Sequence, residues 1–593
     1  MVYKKFKHAP LGGSFSKEPV SHQGGPVSHQ GGPVSHQGGQ KLKIIVLGGL
    51  EEVGRNMTLL EYGHDIIIID MGLQFPEEDM PGIDYIIPNI SYLKGKEKNV
   101  RGVIITHSHY DHIGAIPHIL PKINNPIIYT AKLSAGIIQK RQEEYRNVPK
   151  LKFYLIDENS HLKLGNFIVE FFRVNHNVPD SFGVVVKTPV GTIVHTGDFK
   201  IDHSPINDKP ADLNKIAQIG SHGVLALMAD STDAEDEGYQ ISETKVSDEL
   251  EKIFENAPGR IIIGTFASLL NRVQQAISIA EKFNRKVMIE GRSMKTNVEI
   301  AHKLGYLKIK PGTLIEAEHY NEKRFPSDKI VIIGSGAQGE QNAFLVRFAE
   351  NEHKYLHVKE GDTIIFSSSV IPGNERTIQN LKDTLYRKGA KVIHYKMMDV
   401  HAGGHAKKED LKLIIRLIQP KYYIPIEANH YMLRINAEIA EGLGIPKSNI
   451  FVADDGQVIE FTKKGGYLTK EFVPADYVMV DGLGVGDVSN IVLRDRRVMS
   501  ADGMLVVIAT IERKTGRLIG NPDIISRGFV YMKENKKLIE ATRMKVKKIC
   551  EDHDTKSPTF DDFIKNKIRD EIGQYLYQQT KRRPMILPVV IKV

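Results

Sequence analysis

The sequence predicts an α/β protein of several domains, with polar side chains collected at the ends of buried strands. At 593 residues the chain is too long for a single hydrophobic core. Short β-branched runs alternate with helical patterns over most of its length. Five of the early runs each end in a turn rich in glycine, aspartate or histidine, which indicates a site at the strand termini.

These runs define the first part of the fold, within residues 41–237. In order they are KLKIIVLGGL, HDIIIIDMG, VRGVIITHSH, NFIVEFFRVNH and GTIVHTGDF. Residues 238–390 change to alternating helix and strand units such as SDELEKIFENA and RIIIGTF, a pattern typical of a doubly wound module. Strand and helix patterns resume at 391–462, followed by a polar linker at 463–477 and a small α+β domain at 478–593.

Composition limits the class of protein and its surroundings. Residues 1–40 contain PVSHQGG three times and offer nothing to bury, so we expect a flexible tail. The net charge of +8 suits a polyanionic partner, but a lysine-rich surface explains it equally well. Cys550 is the only cysteine, which excludes disulfides within the chain and CxxC zinc ribbons and favours the cytoplasm. No apolar run approaches the roughly 18–20 residues that span a bilayer, so no membrane partner is expected.

The chemistry is concentrated in IITHSHYDHI, residues 104–113, directly after an apolar run. Crowded imidazole and carboxylate groups need a compensating cation, and two adjacent ions can be served here. Four such side chains lie within six positions: His107, His109, Asp111 and His112. Other strand ends supply His176 and Asp198, while Asp70 can orient a ligand from behind. Imidazole with carboxylate indicates zinc, or manganese less well.

HSHYDH, His176 and Asp198 resemble the metallo-β-lactamase fold in its dinuclear hydrolase form. The rest of the chain narrows the resemblance to the ribonuclease J family, nucleases with a β-CASP insertion. The stretches that carry it include GGLEEVGRNM, FPEEDMPGIDYIIPNISYL, HTGDFKID, MADSTDAE, SGAQGE, FSSSVIPGNE, HAGGH and ISRGFVYM. They span nearly all of 42–593. The resemblance implies an αββα sandwich at 41–237 and 391–462, with the β-CASP domain inserted at 238–390.

The resemblance also implies roles for individual residues. It implies one metal on His107, His109 and His176, a second on Asp111 and His112, and Asp198 as the bridge. The catalytic set implied is Asp111, Asp198, His405 and Asp230, with His405, oriented by Asp230, giving a proton to the leaving oxygen. The implied substrate-phosphate residues are His401, Ala402, Gly403, Gly404 and His405, with a 5′-phosphate pocket at Ser367, Ser368 and Ser369. Three positions match a structural calcium site of some relatives: Gly82, Asp84 and Asp454.

The chain departs from the family at the last metal-binding motif, where a histidine is usual. PIEANHYML places Glu427 at that position and His430 three residues later. The register on either side needs no gap, so we expect Glu427 to ligate the second metal; the alternative is a rearranged backbone that uses His430. Two smaller departures are Gly403, where a serine is usual, and SLLNR at 268–272.

A glycine pattern in the inserted domain competes with this interpretation. Gly334, Gly336 and Gly339 form GxGxxG after an apolar strand, the signature of dinucleotide binding. The next predicted strand ends in serines rather than in the acidic residue that a dinucleotide site requires. We therefore expect the turn to lie near nucleic acid phosphates instead.

The function implied is that of a zinc-dependent ribonuclease with two Zn²⁺ per subunit, for which Mn²⁺ or Mg²⁺ can substitute. It would degrade RNA from a 5′-monophosphorylated end, with some internal cleavage, in rRNA maturation and mRNA decay. Implied partners are a second copy in a dimer or tetramer, formed through the C-terminal domain, and the RNA-decay machinery or the ribosome. The alternatives are a DNA nuclease or small-molecule metallo-hydrolase, and a non-catalytic RNA-binding scaffold whose site has decayed at Glu427.

Overall fold

The computed structural model describes residues 40–593, except for residues 78, 341, 372–373, 489, 514, 516, 531–533 and 552–559. The predicted tail with its PVSHQGG repeats lies outside the described residues. The chain forms two compact units, one of residues up to Gln74 with Ile87–Tyr477, the other of Phe75–Ile86 with Val478–Val593. The segment Phe75–Ile86 therefore belongs with the C-terminal domain, although its sequence position lies within the first.

The apolar runs of the first part form strands, because their β-branched side chains fit a pleated, buried surface. These strands are β1 (Leu42–Gly48), β2 (Met57–Tyr62), β3 (Asp65–Ile69), β4 (Tyr85–Ile87), β5 (Val100–Ile104), β6 (Ile128–Thr130), β7 (Phe153–Leu155), β8 (His161–Leu164), β9 (Phe167–Arg173), β10 (Phe182–Lys187), β11 (Thr192–His195) and β12 (Ala226–Asp230). The helices among them are α1 (Tyr110–Ile113), α2 (Ile116–Ile119), α3 (Lys132–Gln142) and α4 (Leu213–Ser221).

The inserted domain has a five-stranded, fully parallel sheet in the order β14-β15-β13-β16-β17. Its strands are β13 (Ile261–Gly264), β14 (Lys286–Glu290), β15 (Ile330–Gly334), β16 (Thr363–Phe366) and β17 (Lys391–His394). Its helices are α5 (Glu243–Asn256), α6 (Leu270–Lys282), α7 (Arg292–Leu304), α8 (Phe344–Ala349) and α9 (Glu375–Arg387). A Cβ at Gly334 would lie 2.2 Å from the Phe344 ring, so this glycine of the GxGxxG pattern lets α8 pack on the sheet.

The chain then returns to complete the first domain. It adds α10 (Lys408–Ile418), β18 (Tyr422–Ile426), α11 (His430–Gly442), β19 (Gln457–Thr462) and β20 (Gly465–Phe472). One sheet has the order β20-β19-β1-β2-β3-β5-β6-β7 and the other β18-β12-β11-β10-β9-β8. A shared core that includes Ile44, Ile67 and Val184 joins the two sheets, and α4, α10 and α11 cover the outer face of the second.

The second unit contains two small sheets. Its elements are β21 (Val478–Asp481), β22 (Gly484–Val485), α12 (Asn490–Asp502), β23 (Met504–Ile511), β24 (Asp523–Arg527), α13 (Lys536–Glu551), α14 (Phe560–Thr580) and β25 (Met585–Lys592). β4 joins β21 and β22 in one sheet, and the other has the order β24-β23-β25. Alternate residues of β23, such as Leu505 and Val507, pack on α13 and α14. Among the described helices, none combines the length and apolar character that crossing a bilayer requires.

Parallel pairing brings the functional strand ends together. β3 and β5 are parallel neighbours in the first sheet, and β11, β12 and β18 are parallel neighbours in the second. The carboxyl ends of parallel neighbours meet at one edge of a sheet. Asp198, Asp230 and Glu427, which end or follow strands of the second sheet, therefore lie at one edge of it, and Asp70 follows β3 in the first sheet.

Candidate metal centre

The first group of metal-ligating atoms consists of three imidazoles and one carboxylate. Its members, His107, His109, His176 and Asp198, each offer an atom within 4.8 Å of the others. His176 Nε2 lies 3.0 Å from His109 Nδ1 and 3.6 Å from Asp198 Oδ2, and His107 Nε2 lies 3.5 Å from the same oxygen. A zinc tetrahedron with bonds near 2.0–2.1 Å has ligand–ligand edges of about 3.3 Å, so this donor set fits zinc.

Hydrogen bonds made by one nitrogen of the His107 and His176 rings turn the other nitrogen of each ring toward the cluster. Asp70 accepts from the Thr106 hydroxyl at 2.8 Å, so that hydroxyl accepts from His107 Nδ1 at 3.0 Å. His107 Nε2 then carries the lone pair, and although it is buried it has no hydrogen-bond partner among the described residues. His176 Nδ1 donates to the Gly404 carbonyl at 2.8 Å, which leaves its Nε2 toward the cluster. A buried imidazole nitrogen with no partner is what a metal ligand looks like without its ion.

The pKa values of the first group favour protonation states that suit metal binding. Burial lowers the pKa values of His107 and His176 well below the ordinary value, and lowers the pKa of His109 as well. Burial raises the pKa of Asp198, but the neighbouring His112 and His107 outweigh it and leave that pKa well below its usual range. Neutral imidazoles facing an ionised carboxylate are the protonation states that a divalent cation requires.

A second group shares Asp198 with the first. His112 Nε2 lies 3.2 Å from Asp198 Oδ1 and 3.5 Å from Asp111 Oδ2. His112 Nδ1 donates to Asp70 at 2.8 Å, and the Asn56 amide nitrogen lies 2.9 Å from His112 Nε2. Burial lowers the pKa of His112, but Asp198, Asp111 and Asp70 outweigh it and raise that pKa well above its ordinary value. Two oxygens of Asp198 thus face two neighbouring ligand groups.

Glu427 and His430 lie in different surroundings. Glu427 follows β18 with φ +62° and is 5% exposed, and an oxygen of its carboxylate lies within 4.8 Å of ligand atoms of His112 and Asp70. Burial, and then Asp198, raises the pKa of Glu427 well above its ordinary value. The His430 ring is 46% exposed and binds Glu51 at 3.0 Å. This geometry favours Glu427 as the ligand, which stays a prediction.

His405 and Asp230 form a pair beside the shared carboxylate. His405 Nδ1 donates to Asp230 Oδ2 at 2.8 Å, which points Nε2 toward Asp198 Oδ2, 4.0 Å away. Burial lowers the pKa of His405, but Asp230 and Asp198 outweigh it and raise that pKa to about 10. At neutral pH, therefore, Nε2 of His405 carries a proton next to the ligand cluster.

A buried ion network supports the loop that contains His405, and the sequence did not reveal it. Lys200 Nζ donates to the Gly403 carbonyl at 3.1 Å and pairs with Glu243 at 3.0 Å. Arg272 pairs with the other oxygen of Glu243 at 2.6 Å and donates to the Val400 carbonyl. Lys200 lies in the motif HTGDFKID and Arg272 in SLLNR, but partners 29 to 203 positions away in the chain leave no local sequence signal.

The predicted phosphate residues divide into buried and accessible ones. The Ser367 hydroxyl is fully buried, donates to the Val400 carbonyl and accepts from Arg272. The Ser368 hydroxyl is also buried and accepts from Gln338 at 3.2 Å, whereas Ser369 is exposed. His401 is 7% exposed, and its Nδ1 has no hydrogen-bond partner in the part of the chain that the structure describes. Ala402 and Gly404 are buried, and Gly403 is partly exposed.

The predicted calcium residues belong to different units, each described by itself. In the C-terminal unit, the Gly82 carbonyl accepts from the Arg496 guanidinium at 3.0 Å, and Asp84 accepts from the Gly482 amide at 2.8 Å. A guanidinium at that carbonyl is a poor fit to a calcium ligand. Asp454 in the first unit lies near Glu51 and His430. The calcium site stays a prediction.

Comparisons with known proteins fit this geometry. Residues 50–264 match the metallo-beta-lactamase superfamily, residues 258–385 the ribonuclease J beta-CASP domain, and residues 491–593 the ribonuclease J C-terminal domain. Ribonuclease J2 of Bacillus subtilis is 39% identical over 93% of this chain and 99% of its own length. Ribonuclease J 1 of Streptococcus pyogenes is 40% identical over 92% of this chain and 97% of its own. This chain belongs to the ribonuclease J family.

Membership of the ribonuclease J family confirms the predicted fold class and makes the chain a metal-dependent hydrolase of the nuclease class. A crystal structure of a protein of unknown function from Enterococcus faecalis V583 has a TM-score of 0.52 and 17% identity to it. That match covers 71% of this chain and all of the other, and it concerns the fold alone.

Proposed function

We propose that this protein is a zinc-dependent ribonuclease that hydrolyses RNA from a 5′-monophosphorylated end and also cleaves internally. The observation that carries the proposal is the pair of ligand groups that share Asp198, with the His405 imidazole 4.0 Å from the same carboxylate. Such an arrangement suits attack on phosphorus with assisted departure of an oxygen.

When bound, divalent cations at two neighbouring positions lower the pKa of water and neutralise charge on a phosphodiester. One cation would be held by His107, His109 and His176. The other would be held by Asp111, His112 and Glu427, and Asp198 would contribute to both positions. His405 supplies the proton that the leaving oxygen takes up, from Nε2. Asp230 fixes the ring through Nδ1, so that the proton is held on the side of the ligand cluster.

For the 5′ end we propose a pocket beside the HAGGH loop. Its candidates are the exposed Ser369 and the buried His401, whose Nδ1 makes no hydrogen bond to any residue that the structure describes. Ser367 supports this region rather than binding phosphate, because its hydroxyl is already committed to Val400 and Arg272. Equal release of mononucleotides from 5′-phosphate and 5′-hydroxyl RNAs would refute the pocket.

A time course on end-labelled RNA, with and without chelator, tests the activity itself. We expect the zinc-loaded wild type to cleave the RNA. The His109→Ala variant should not cleave it, because it lacks one of the three imidazoles of the first ligand group. The exposed His430→Ala is the matched control and should retain activity. An intact RNA substrate after incubation with zinc- or manganese-loaded protein would refute the proposal.

The same preparation separates the other candidate functions. A single-stranded DNA of the same sequence distinguishes a DNA nuclease, since RNA selectivity depends on contacts to the 2′-hydroxyl. Metal analysis distinguishes a scaffold: about two equivalents of metal per chain support the enzyme, and none supports a non-catalytic protein.

We further propose that the protein self-associates through its C-terminal domain. The face of β24, β23 and β25 opposite the helices exposes apolar side chains: Ile525 at 40%, Leu587 at 39%, Val589 at 40% and Ile591 at 44%. Sedimentation of the wild type against a Val589→Asp variant tests this, and identical monomeric profiles would refute it. In the cell we expect action on rRNA precursors and mRNA in the cytoplasm, with the RNA-decay machinery or the ribosome as partners.

A further inference from the structure

The two ligand groups differ in donor chemistry. The first offers three imidazole nitrogens and one carboxylate. The second offers one imidazole nitrogen from His112 and carboxylates from Asp111 and Asp198, and the Glu427 carboxylate lies within 4.8 Å of ligand atoms of His112 and Asp70 in an overlapping group. Imidazole-rich sites favour zinc, whereas carboxylate and water oxygens suit harder cations such as manganese and magnesium.

The surroundings of Glu427 add to this oxygen-rich character. Its Oε2 is buried and has no hydrogen-bond partner within the described ranges of the chain. Beside it is a cavity with room for about one water molecule, lined by Asn56, Thr58, Asp70 and His195 among others. His195 Nδ1 accepts from the Gly197 amide at 3.0 Å, so its Nε2 carries hydrogen and can bind a water there. A cation that takes five or six oxygen ligands is better served here than one that takes four.

We infer that the two positions select different ions, zinc in the imidazole group and a hard divalent cation, manganese or magnesium, in the group that contains Glu427. This inference rests on the proposed function and extends it by assigning an ion to each of the two metal positions. Replacing Glu427 with histidine exchanges an oxygen donor for a nitrogen donor, so the side chain at 427 is the one varied to test this difference.

Metal exchange on the full-length protein tests the inference. Most sites bind zinc more tightly than manganese, so the sites are compared by how easily zinc is displaced. Protein loaded with two zinc ions is dialysed against rising Mn²⁺ at buffered zinc, and both metals are counted by mass spectrometry. We expect the wild type to replace one zinc by one manganese, with a bound-Mn²⁺ electron paramagnetic resonance signal, while the other zinc remains.

Two variants complete the experiment. Glu427→His should keep both zinc ions until the manganese concentration is at least about tenfold higher. His430→Ala, whose ring contacts Glu51 and Arg434, should exchange like the wild type. If Glu427→His fails to fold, anomalous diffraction of the manganese-exchanged wild type decides, with manganese expected beside Asp111 and Glu427.

The failures are distinguishable. Zinc ions that leave together, or that both resist manganese, overturn the inference while the ribonuclease proposal stands. If the protein takes up neither zinc nor manganese, both this inference and the ribonuclease proposal are overturned.

Discussion

Replacing Asp230 with asparagine should lower the pKa of His405 and move the alkaline limit of activity. The carboxylate of Asp230 accepts from His405 Nδ1 at 2.8 Å, and it is the charge that contributes most to raising the pKa of His405 to about 10. A hydrogen bond to a charged group is worth about 1.5–3 kcal/mol, and 1.36 kcal/mol corresponds to one pKa unit. The variant pKa should therefore lie about 1–2 units lower, near 8–9.

The sign follows from the role of His405 as an acid. Its protonated form is present below the pKa and is lost as pH rises through it, so activity falls on the alkaline side. At pH 9 the protonated fraction should fall from about 0.9 to between about 0.1 and 0.5. Initial rates of kcat/KM on labelled RNA between pH 6 and 10, corrected for uncatalysed hydrolysis, measure the shift.

Asp233→Asn is the matched control, because Asp233 also faces His405 but contributes less to its pKa than Asp230 does. Carbon NMR titration of the His405 ring gives the same pKa independently of catalysis. An unchanged alkaline limit in Asp230→Asn, or equal shifts in the two variants, would refute the reasoning.

Three further predictions concern packing, stability and the metal. Gly404→Ala should lower zinc content and activity, because its Cβ would lie 2.6 Å from His176 Cε1. Gly442→Ala should not, because a Cβ there would meet no described residue outside its own helix within 4 Å; metal analysis of both variants checks this. Glu243→Gln should destabilise the fold by about 3–5 kcal/mol in chemical unfolding, since Arg272 and Lys200 remain buried without it. Burial raises the pKa of Glu243, but these two cations outweigh it and hold that pKa below its ordinary value of 4.5. The stabilisation by ionised Glu243 is therefore present above pH 4.5 and is lost as pH falls through the pKa of the folded state. In acid, the wild type and Glu243→Gln should no longer differ in stability for this reason. Removing metal with a chelator should abolish RNA cleavage, and zinc or manganese should restore it; full activity in chelator would contradict the metal requirement.

The sequence determined the parts of the site that are local. His107, His109, Asp111 and His112 lie within six positions after a strand, so their proximity needed no knowledge of the fold. The strands that precede His176 and Asp198 could also be predicted, because hydrophobic periodicity and residue composition indicate a buried strand and the point where it ends. The sequence motifs also identified the ribonuclease J family, and the comparisons confirm this membership.

Tertiary structure decided what depends on partners far away in the chain. Glu427 and His430 are three residues apart, and only the left-handed turn after β18 and the start of α11 separate a buried carboxylate from an exposed imidazole. The commitment of the Ser367 hydroxyl to Arg272, 95 positions away, likewise leaves no trace in either local sequence. Hydrophobic periodicity specifies which face of an element is buried, but the contacts between buried polar groups are set by sheet order and loop closure, which no single segment encodes.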